Sequence, residues 1–180
     1  MRIAMKRILI IGTNGSGKTT MARELSSQLG LPLIHLDKLY WRDDWQHATR
    51  EELAVALQPE LEKSEWIIDG NMKHSLTHRL KYCDTVIYLD FPSIVCAWNA
   101  VKRLVLSHNK SRPDMGGNCV EKFDRRSFAF IKIIFSFNRK NRADFYKRIS
   151  EAQNAGLIVL KNRKQVKQFL DSIGENECQK

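Results

Sequence analysis

The sequence predicts an α/β protein with a doubly wound, five-stranded parallel sheet. Short apolar segments of strand length recur along the 180 residues, at Ile8–Ile11, Pro32–Leu36, Trp66–Ile68, Thr85–Leu89 and Leu157–Leu160. These segments are continuously apolar rather than alternating, as expected of parallel strands covered on both faces. Helical patterns lie between them, which favours right-handed crossovers. In such a sheet, ligands bind at the carboxyl ends of the strands.

Start and stop signals place the helices between these strands. Thr49 and Glu52 form a capping-box pattern, in which each residue satisfies a backbone N–H of the other. Gly30 suits a left-handed helix end, and Pro92 suits a first helical turn. We therefore expect helices over Lys18–Leu29, Thr49–Lys63, Pro92–Ser107 and about Arg163–Ser172.

The composition is that of one ordinary globular domain, with 43% hydrophobic and 28% charged residues. We expect residues 1–180 to form a single domain without a signal peptide. No apolar run approaches the roughly 20 residues of a membrane-spanning helix, so no membrane partner is expected. The cysteines lack the paired spacing of a zinc site, and we expect free thiols in a reducing cytoplasm; they are Cys83, Cys96, Cys119 and Cys178.

The positive charge is concentrated in one stretch of the chain. The net charge is +10, and residues 101–150 hold 13 Lys and Arg against 4 Asp and Glu. A local surplus of this kind indicates a local anionic partner, either the phosphates of a small substrate or a nucleic-acid backbone. A merely solvated basic face is the third interpretation.

Residues 108–141 depart from the strand–helix alternation. They contain Pro113, the adjacent glycines Gly116 and Gly117, and many cations. We interpret this stretch as a mobile insertion flanked by helices, and as a candidate lid over bound phosphates. Two single residues are expected in the core: Trp98, in mid-helix, and His35, in a strand. The five histidines show no metal-ligand pattern.

A complete phosphate-binding loop, G-x-x-x-x-G-K-[ST], lies between the first predicted strand and the first predicted helix. Its backbone N–H groups and the helix N-terminus are suited to hold the phosphates of a nucleoside triphosphate. Lys18 can reach the β- and γ-phosphates, and the Thr19 hydroxyl can ligate Mg²⁺. We therefore predict ATP and Mg²⁺ as cofactors. The predicted ATP-binding residues are Gly12, Thr13, Asn14, Gly15, Ser16, Gly17, Lys18, Thr19 and Thr20.

Beyond this loop, the chain resembles adenylate kinase-like P-loop kinases, and most closely the branch of DNA topology modulation proteins. The resemblance covers almost the whole chain and rests on the loop together with His35–Trp41, Trp45, Trp66–Asn71, Asp84–Pro92 and Arg112–Asp114. It implies a P-loop NTPase fold, phosphoryl transfer from ATP and a small helical lid.

The resemblance implies functional roles for two carboxylates, those of Asp69 and Asp37. Asp69 precedes Gly70 after an apolar strand, and in relatives such an aspartate holds the hydration shell of Mg²⁺; a turn-forming Asp-Gly pair is the alternative. Asp37 is similar to the strand-end aspartate that accepts the proton of an attacking hydroxyl in uridine, shikimate and gluconate kinases. A helix N-cap is its alternative role. Adenylate kinases follow the Asp-Gly pair with an arginine that grips the monophosphate. Here the nearest arginine is Arg79, which argues against AMP as acceptor.

The acceptor and the lid complete the predicted site. We expect the acceptor at residues of about 37–63 and 71–79. There Tyr40, Trp41 and Trp45 either stack on it or pack the hinge of a small subdomain. Bidentate guanidinium groups stabilise the charge of phosphoryl transfer, and Arg112, Arg139 and Arg142 are the predicted phosphate contacts. The loop Lys161–Arg163 lies where relatives flank the adenine.

The predicted function is a cytoplasmic ATP-dependent kinase of a small-molecule acceptor, either a nucleoside, a nucleotide or a small alcohol. A nucleic-acid-associated ATPase is the first alternative, supported by the basic stretch alone. A nucleotide-binding regulatory module without turnover is the second. Lys18, Asp37 and Asp69 are all present, which favours turnover.

Overall fold

The computed structural model describes residues 5–107, 115–120, 125–152 and 155–177. Its five strands form one parallel sheet in the order β2-β3-β1-β4-β5, which confirms the predicted fold class. Each strand lies at or within two residues of its predicted position. The strands are β1 (Arg7–Gly12), β2 (Leu33–His35), β3 (Trp66–Asp69), β4 (Thr85–Leu89) and β5 (Gly156–Leu160).

The helices lie on both faces of this sheet. They are α1 (Lys18–Leu29), α2 (Leu36–Tyr40), α3 (Arg50–Leu61), α4 (Lys73–Leu80), α5 (Ser93–Leu106), α6 (Arg125–Glu151) and α7 (Arg163–Glu177). Helix α1 has the predicted bounds, and Gly30 ends it in the left-handed conformation. The capping box of Thr49 and Glu52 is present at the start of α3. The short helices α2 and α4 were not predicted, because five to eight residues give too little periodicity to distinguish a helix from a loop.

Helix α6 begins inside the stretch interpreted as an insertion. It runs without a break from Arg125 to Glu151, so it continues past residue 141, where the predicted insertion ends. The reason lies in the sequence, since these 27 residues contain neither proline nor glycine. Phe130 and Ile134 of α6 pack on one core, and Phe145 and Ile149 pack on the other.

The two cores lie on opposite faces of the sheet. One joins Ile8 and Ile10 of β1 with α1, α5 and α7. The other joins Leu9 and Ile11 with α3 and α4. The expectation that Trp98 lies in the core was wrong: its side chain is 70% exposed, because α5 directs Cys96, Ala97 and Ala100 inward instead.

Cys83, Cys96 and Cys119 are buried free thiols, and Cys178 lies outside the described residues. Burial raises the pKa of Cys96 to about 11, so this thiol is protonated at neutral pH.

Within the described ranges, no helix combines the length and the apolar character that crossing a membrane requires.

Residues Met115–Val120 pack against α2 and the turn that follows it; we call this stretch the docked segment. Its backbone N–H at Asn118 donates to Asp43 Oδ1 at 2.6 Å. The indole N–H of Trp45 donates to the Val120 carbonyl at 3.1 Å, and Cys119 Sγ donates to the Arg42 carbonyl at 3.1 Å. Cys119 is fully buried as a result.

Gly117 permits this close approach. Its φ of +62° is left-handed, and a Cβ placed there would collide with the backbone nitrogen of Asp43. The contact between the docked segment and the turn after α2 therefore requires a residue without a side chain at position 117.

We predict that Gly117→Ala loosens the docked segment. A left-handed alanine costs roughly 1–2 kcal/mol before the collision is counted. Because about 1.4 kcal/mol corresponds to tenfold in an equilibrium constant, N-ethylmaleimide should label Cys119 at least about tenfold faster. Labelling is followed by mass spectrometry of Cys119 peptides.

Gly174→Ala is the matched control, because a Cβ at Gly174 meets only the Gln28 amide nitrogen, at 3.9 Å. Its Cys119 labelling should equal that of the unaltered protein. Equal labelling rates in all three proteins would show that Gly117 is not needed for docking.

Candidate active site

The phosphate-binding loop connects β1 to α1 at the carboxyl edge of the sheet. Gly15, in this loop, has a φ of +86°, and a Cβ there would overlap the Cys96 carbonyl of α5. The Asn99 side chain, one turn further along α5, donates from Nδ2 to the Gly15 carbonyl at 2.9 Å. Helix α5 therefore holds the loop directly. Sequence analysis missed Asn99, whose only signal is a polar residue among the apolar residues of α5.

Lys18 is the buried cation of the loop. Its ammonium donates to the carbonyl oxygens of Gly12 at 2.8 Å and Thr13 at 3.1 Å. Burial lowers the pKa of Lys18 to about 8, although the nearby carboxylates of Asp37 and Asp69 oppose that shift. A phosphate bound in the loop would act in the same direction as these carboxylates and favour the charged amine.

Thr19 and Asp69 meet at the start of α1. The Thr19 hydroxyl donates to Asp69 Oδ2 at 2.8 Å, and His35 Nδ1 lies 2.7 Å from Asp69 Oδ1. The sequence predicted Thr19 and Asp69 as oxygen ligands of Mg²⁺, whereas it predicted His35 only as a buried structural residue. Asn71 Oδ1 accepts from the Gly12 N–H at 2.9 Å, which ties the residues after β3 to the loop.

The Thr19 hydroxyl and the Asp69 carboxylate suit Mg²⁺, because this ion prefers oxygen ligands and keeps several waters or phosphate oxygens. In the described part of the chain, no group of three or more His, Cys, Asp or Glu side chains could hold a metal by itself. The donor set therefore fits an ion shared with nucleotide phosphates.

Asp37 lies in the first turn of α2, two residues beyond the end of β2. It is therefore not the last residue of a strand, as the sequence suggested, because α2 begins at once. Nor is it the N-cap, a position taken by His35. Asp37 and Lys18 line the same cleft of about 1000 Å³, and the Asp37 charge partly offsets the lowering of the Lys18 pKa by burial.

Aromatic side chains form the wall of this cleft next to Asp37. Trp41 and Trp45 pack edge to face with ring centres 5.5 Å apart, and Tyr40 stacks on His47 at 5.1 Å. Trp41, Trp45 and His47 line the cleft. The two interpretations of the aromatic cluster are thus compatible, since the rings pack on one another and also face the cleft. The docked segment completes this wall with Met115, Asn118 and Val120.

The predicted phosphate-binding arginines have different positions. Arg142 Nη2 lies 2.6 Å from Asp90 Oδ2, with its guanidinium 5.9 Å from the centre of the Tyr146 ring. Arg139 is exposed on α6. Neither belongs to the side chains that line the cleft among the described residues. Arg112 lies outside the described residues. The phosphate contacts expected of Arg112, Arg139 and Arg142 therefore all stay predictions.

Three other arginines line the cleft. Arg23 lies on α1, Arg103 follows Asn99 by one turn on α5, and Arg163, the last residue of the loop 161–163, begins α7. Arg163 Nη2 donates to Asn99 Oδ1 at 3.2 Å. Asn99 thus connects the phosphate-binding loop to the residues that follow β5.

Arg79 is fully buried and donates hydrogen bonds to backbone carbonyls. Its guanidinium donates to the carbonyl oxygens of Gly70 at 3.0 Å, Asn71 at 3.0 Å and Met72 at 3.2 Å. Burial lowers the pKa of Arg79 to about 10. Because the guanidinium fork is used on these carbonyls, Arg79 is not placed to grip the phosphate of an acceptor.

The chain belongs to the AAA domain family: residues 8–104, more than half of the chain, match the model of that family. A solved shikimate kinase from Bacteroides thetaiotaomicron is similar to it, with 19% identity, 96% of this chain and 98% of that chain covered, and a TM-score of 0.60. A shikimate kinase from Acinetobacter baumannii in complex with shikimate is also similar, with 14% identity, 98% and 95% coverage, and a TM-score of 0.58. A comparison with curated protein sequences gave no match.

These comparisons agree with the geometry of the site. The family match covers β1 to α5, which carry the phosphate-binding loop, Asp37, Asp69 and Asn99. The structural likeness spans nearly the full length of both solved chains at low identity, so it establishes the fold, that of P-loop kinases, and nothing finer.

We predict that Arg79→Met destabilises the protein by about 2–4 kcal/mol. Methionine fills much of the volume but leaves three carbonyls without their donor, the Gly70 carbonyl in a buried place and those of Asn71 and Met72 in partly buried ones. An unsatisfied buried group costs roughly 1–3 kcal/mol, and a partly buried one costs less. Urea unfolding followed by circular dichroism measures the change. Arg50→Met, at an exposed position on α3, is the control and should change the free energy of unfolding by less than about 0.5 kcal/mol. Equal stability of the two variants would contradict the role assigned to Arg79.

Proposed function

We propose that the protein is a cytoplasmic ATP-dependent kinase that transfers the γ-phosphoryl group of Mg·ATP to a hydroxyl group of a small molecule. One observation carries the proposal. Lys18 and Thr19 of the phosphate-binding loop, Asp69 and Asp37 all line a single cleft, with an aromatic wall on the Asp37 side.

The nucleotide half of the proposal uses the loop and two of the arginines that line the cleft. The loop N–H groups and Lys18 would hold the phosphates, and Arg103 and Arg163 would add positive charge beside them. Asn71 Nδ2 is a buried donor without a hydrogen-bond partner among the described atoms, and it belongs to a residue that lines the cleft. When bound, Mg²⁺ would neutralise part of the phosphate charge; Thr19 and Asp69 would hold it.

The acceptor half uses Asp37 and the aromatic wall. A hydroxyl is a weak nucleophile at neutral pH, and a carboxylate within reach can accept its proton as the oxygen attacks phosphorus. Trp41 and Trp45 offer ring faces to a planar or sugar-like molecule, and His47 and Asn118 offer polar groups. An acceptor bound there would lie between the indole rings and the phosphate-binding loop.

The main alternative is a nucleic-acid-associated ATPase, which the surplus of nine positive charges in residues 101–150 favours. Two of these cations pair with carboxylates outside the stretch. Arg142 pairs with Asp90 at 2.6 Å, and Lys147 pairs with Glu151 at 3.9 Å. These pairs reduce the charge available to a phosphate backbone, so we place the kinase first.

We predict that the purified protein releases ADP from Mg·ATP in the presence of one member of a panel of acceptors. The panel consists of nucleosides, nucleoside monophosphates, shikimate and small alcohols. Lys18→Ala should remove most of the ATP affinity, measured by calorimetry, without unfolding the chain. Equal ATP binding by the protein and by Lys18→Ala would overturn the kinase proposal.

We predict that Asp37→Asn lowers kcat about 10²- to 10⁴-fold, the usual contribution of a general base, with unchanged Mg·ATP affinity. Asp44→Asn is the matched control, since Asp44 lines the same cleft and asparagine tolerates its φ of +52°. Its kcat should change by less than about threefold. A loss of less than about tenfold in Asp37→Asn would assign Asp37 a structural role.

A further inference from the structure

We infer that His35 is a positioning residue that fixes the orientation of the Asp69 carboxylate toward the metal of a bound nucleotide. The inference rests on the proposed function, because it assigns Mg²⁺ to Thr19 and Asp69. Its starting point is the sheet itself. His35 and Asp69 are register partners in the parallel pair β2–β3, and they are the last residues of their strands.

The contact is short and largely removed from water. His35 Nδ1 lies 2.7 Å from Asp69 Oδ1, with the two side chains 11% and 6% exposed. An ionised carboxylate only accepts hydrogen bonds, so Nδ1 carries the proton and donates. The other carboxylate oxygen accepts from the Thr19 hydroxyl at 2.8 Å. Asp69 is therefore held at both oxygens, by β2 on one side and by α1 on the other.

Two donors matter because of how an aspartate side chain moves. The terminal torsion of aspartate is broad and nearly two-fold, so one hydrogen bond leaves the carboxylate free to swing about it. A second donor at the other oxygen removes that freedom and leaves the remaining lone pairs in one orientation. Residues that orient ligands in this way typically change metal affinity by 10–100-fold when they are removed.

His35 also links the two carboxylates of the site. It is the N-cap residue of α2, and Asp37 lies two residues further along the chain. The position of α2 relative to β3 is thus tied to Asp69 through the His35 side chain. The backbone N–H of Gly116 adds to this arrangement, since it donates to the Asp37 carbonyl at 3.4 Å.

The test measures ADP binding by calorimetry, first without metal and then across a Mg²⁺ titration. In His35→Leu, the Mg²⁺ concentration needed for half of the gain in ADP affinity should rise about 10–100-fold. The metal-free ADP affinity should stay within about twofold of the unaltered protein. His35→Asn retains a side-chain N–H near the place of Nδ1, and its Mg²⁺ dependence should stay within about threefold.

The outcomes separate the inference from the function on which it rests. Unchanged Mg²⁺ dependence in His35→Leu, or an equal loss of metal-free ADP affinity, would overturn the positioning role. If His35→Leu does not fold, His35→Asn decides: a shift of tenfold or more in a folded Asn variant would also overturn it. Absence of any Mg²⁺ effect in the unaltered protein would instead overturn the assignment of the metal site, whatever the variants do.

Discussion

The parallel pairing of β1 with β3 and β4 is the constraint on which the rest of the molecule depends. Its register places Ile10 beside Asp69 and Gly12 beside Leu89, and the β2–β3 pair adds His35 beside Asp69. Chemically active residues at the ends of separate strands are thereby brought to one edge. A slip of one residue in β3 would turn Asp69 to the opposite face of the sheet and away from Thr19.

The second level of organisation comes from side chains that hold backbone. Asn99 binds a carbonyl of the phosphate-binding loop, and Arg79 binds three carbonyls after β3. Asn71 accepts from the loop in turn. Loops at strand ends have few ladder hydrogen bonds of their own, so buried donors of this kind determine their shape. The shape of the cleft therefore depends on residues that would not contact the reacting groups.

The sequence was sufficient for the strands, for α1 and for the phosphate-binding loop, because each has a local signal in spacing or in helix ends. It was not sufficient for α2 and α4, which are too short for a helical period. Nor could it place the docked segment, because the contact between Gly117 and Asp43 joins distant parts of the chain. The partnership of His35 with Asp69 follows from strand order, which one sequence alone does not reveal. Trp98 was misplaced because its neighbours Cys96, Ala97 and Ala100, though small, fill the inward face of α5.

The burial of Arg79 limits how this site could diverge during evolution. A descendant that accepts a monophosphate would need a cation near the residues after β3. Arg79 is near them in sequence, but recruiting it would release the carbonyls of Gly70, Asn71 and Met72 and raise the free energy of the folded state. A single substitution that adds a new arginine elsewhere on the wall of the cleft is the less costly path. Paralogues with anionic acceptors should therefore retain Arg79 and carry their phosphate-binding cation at a different position.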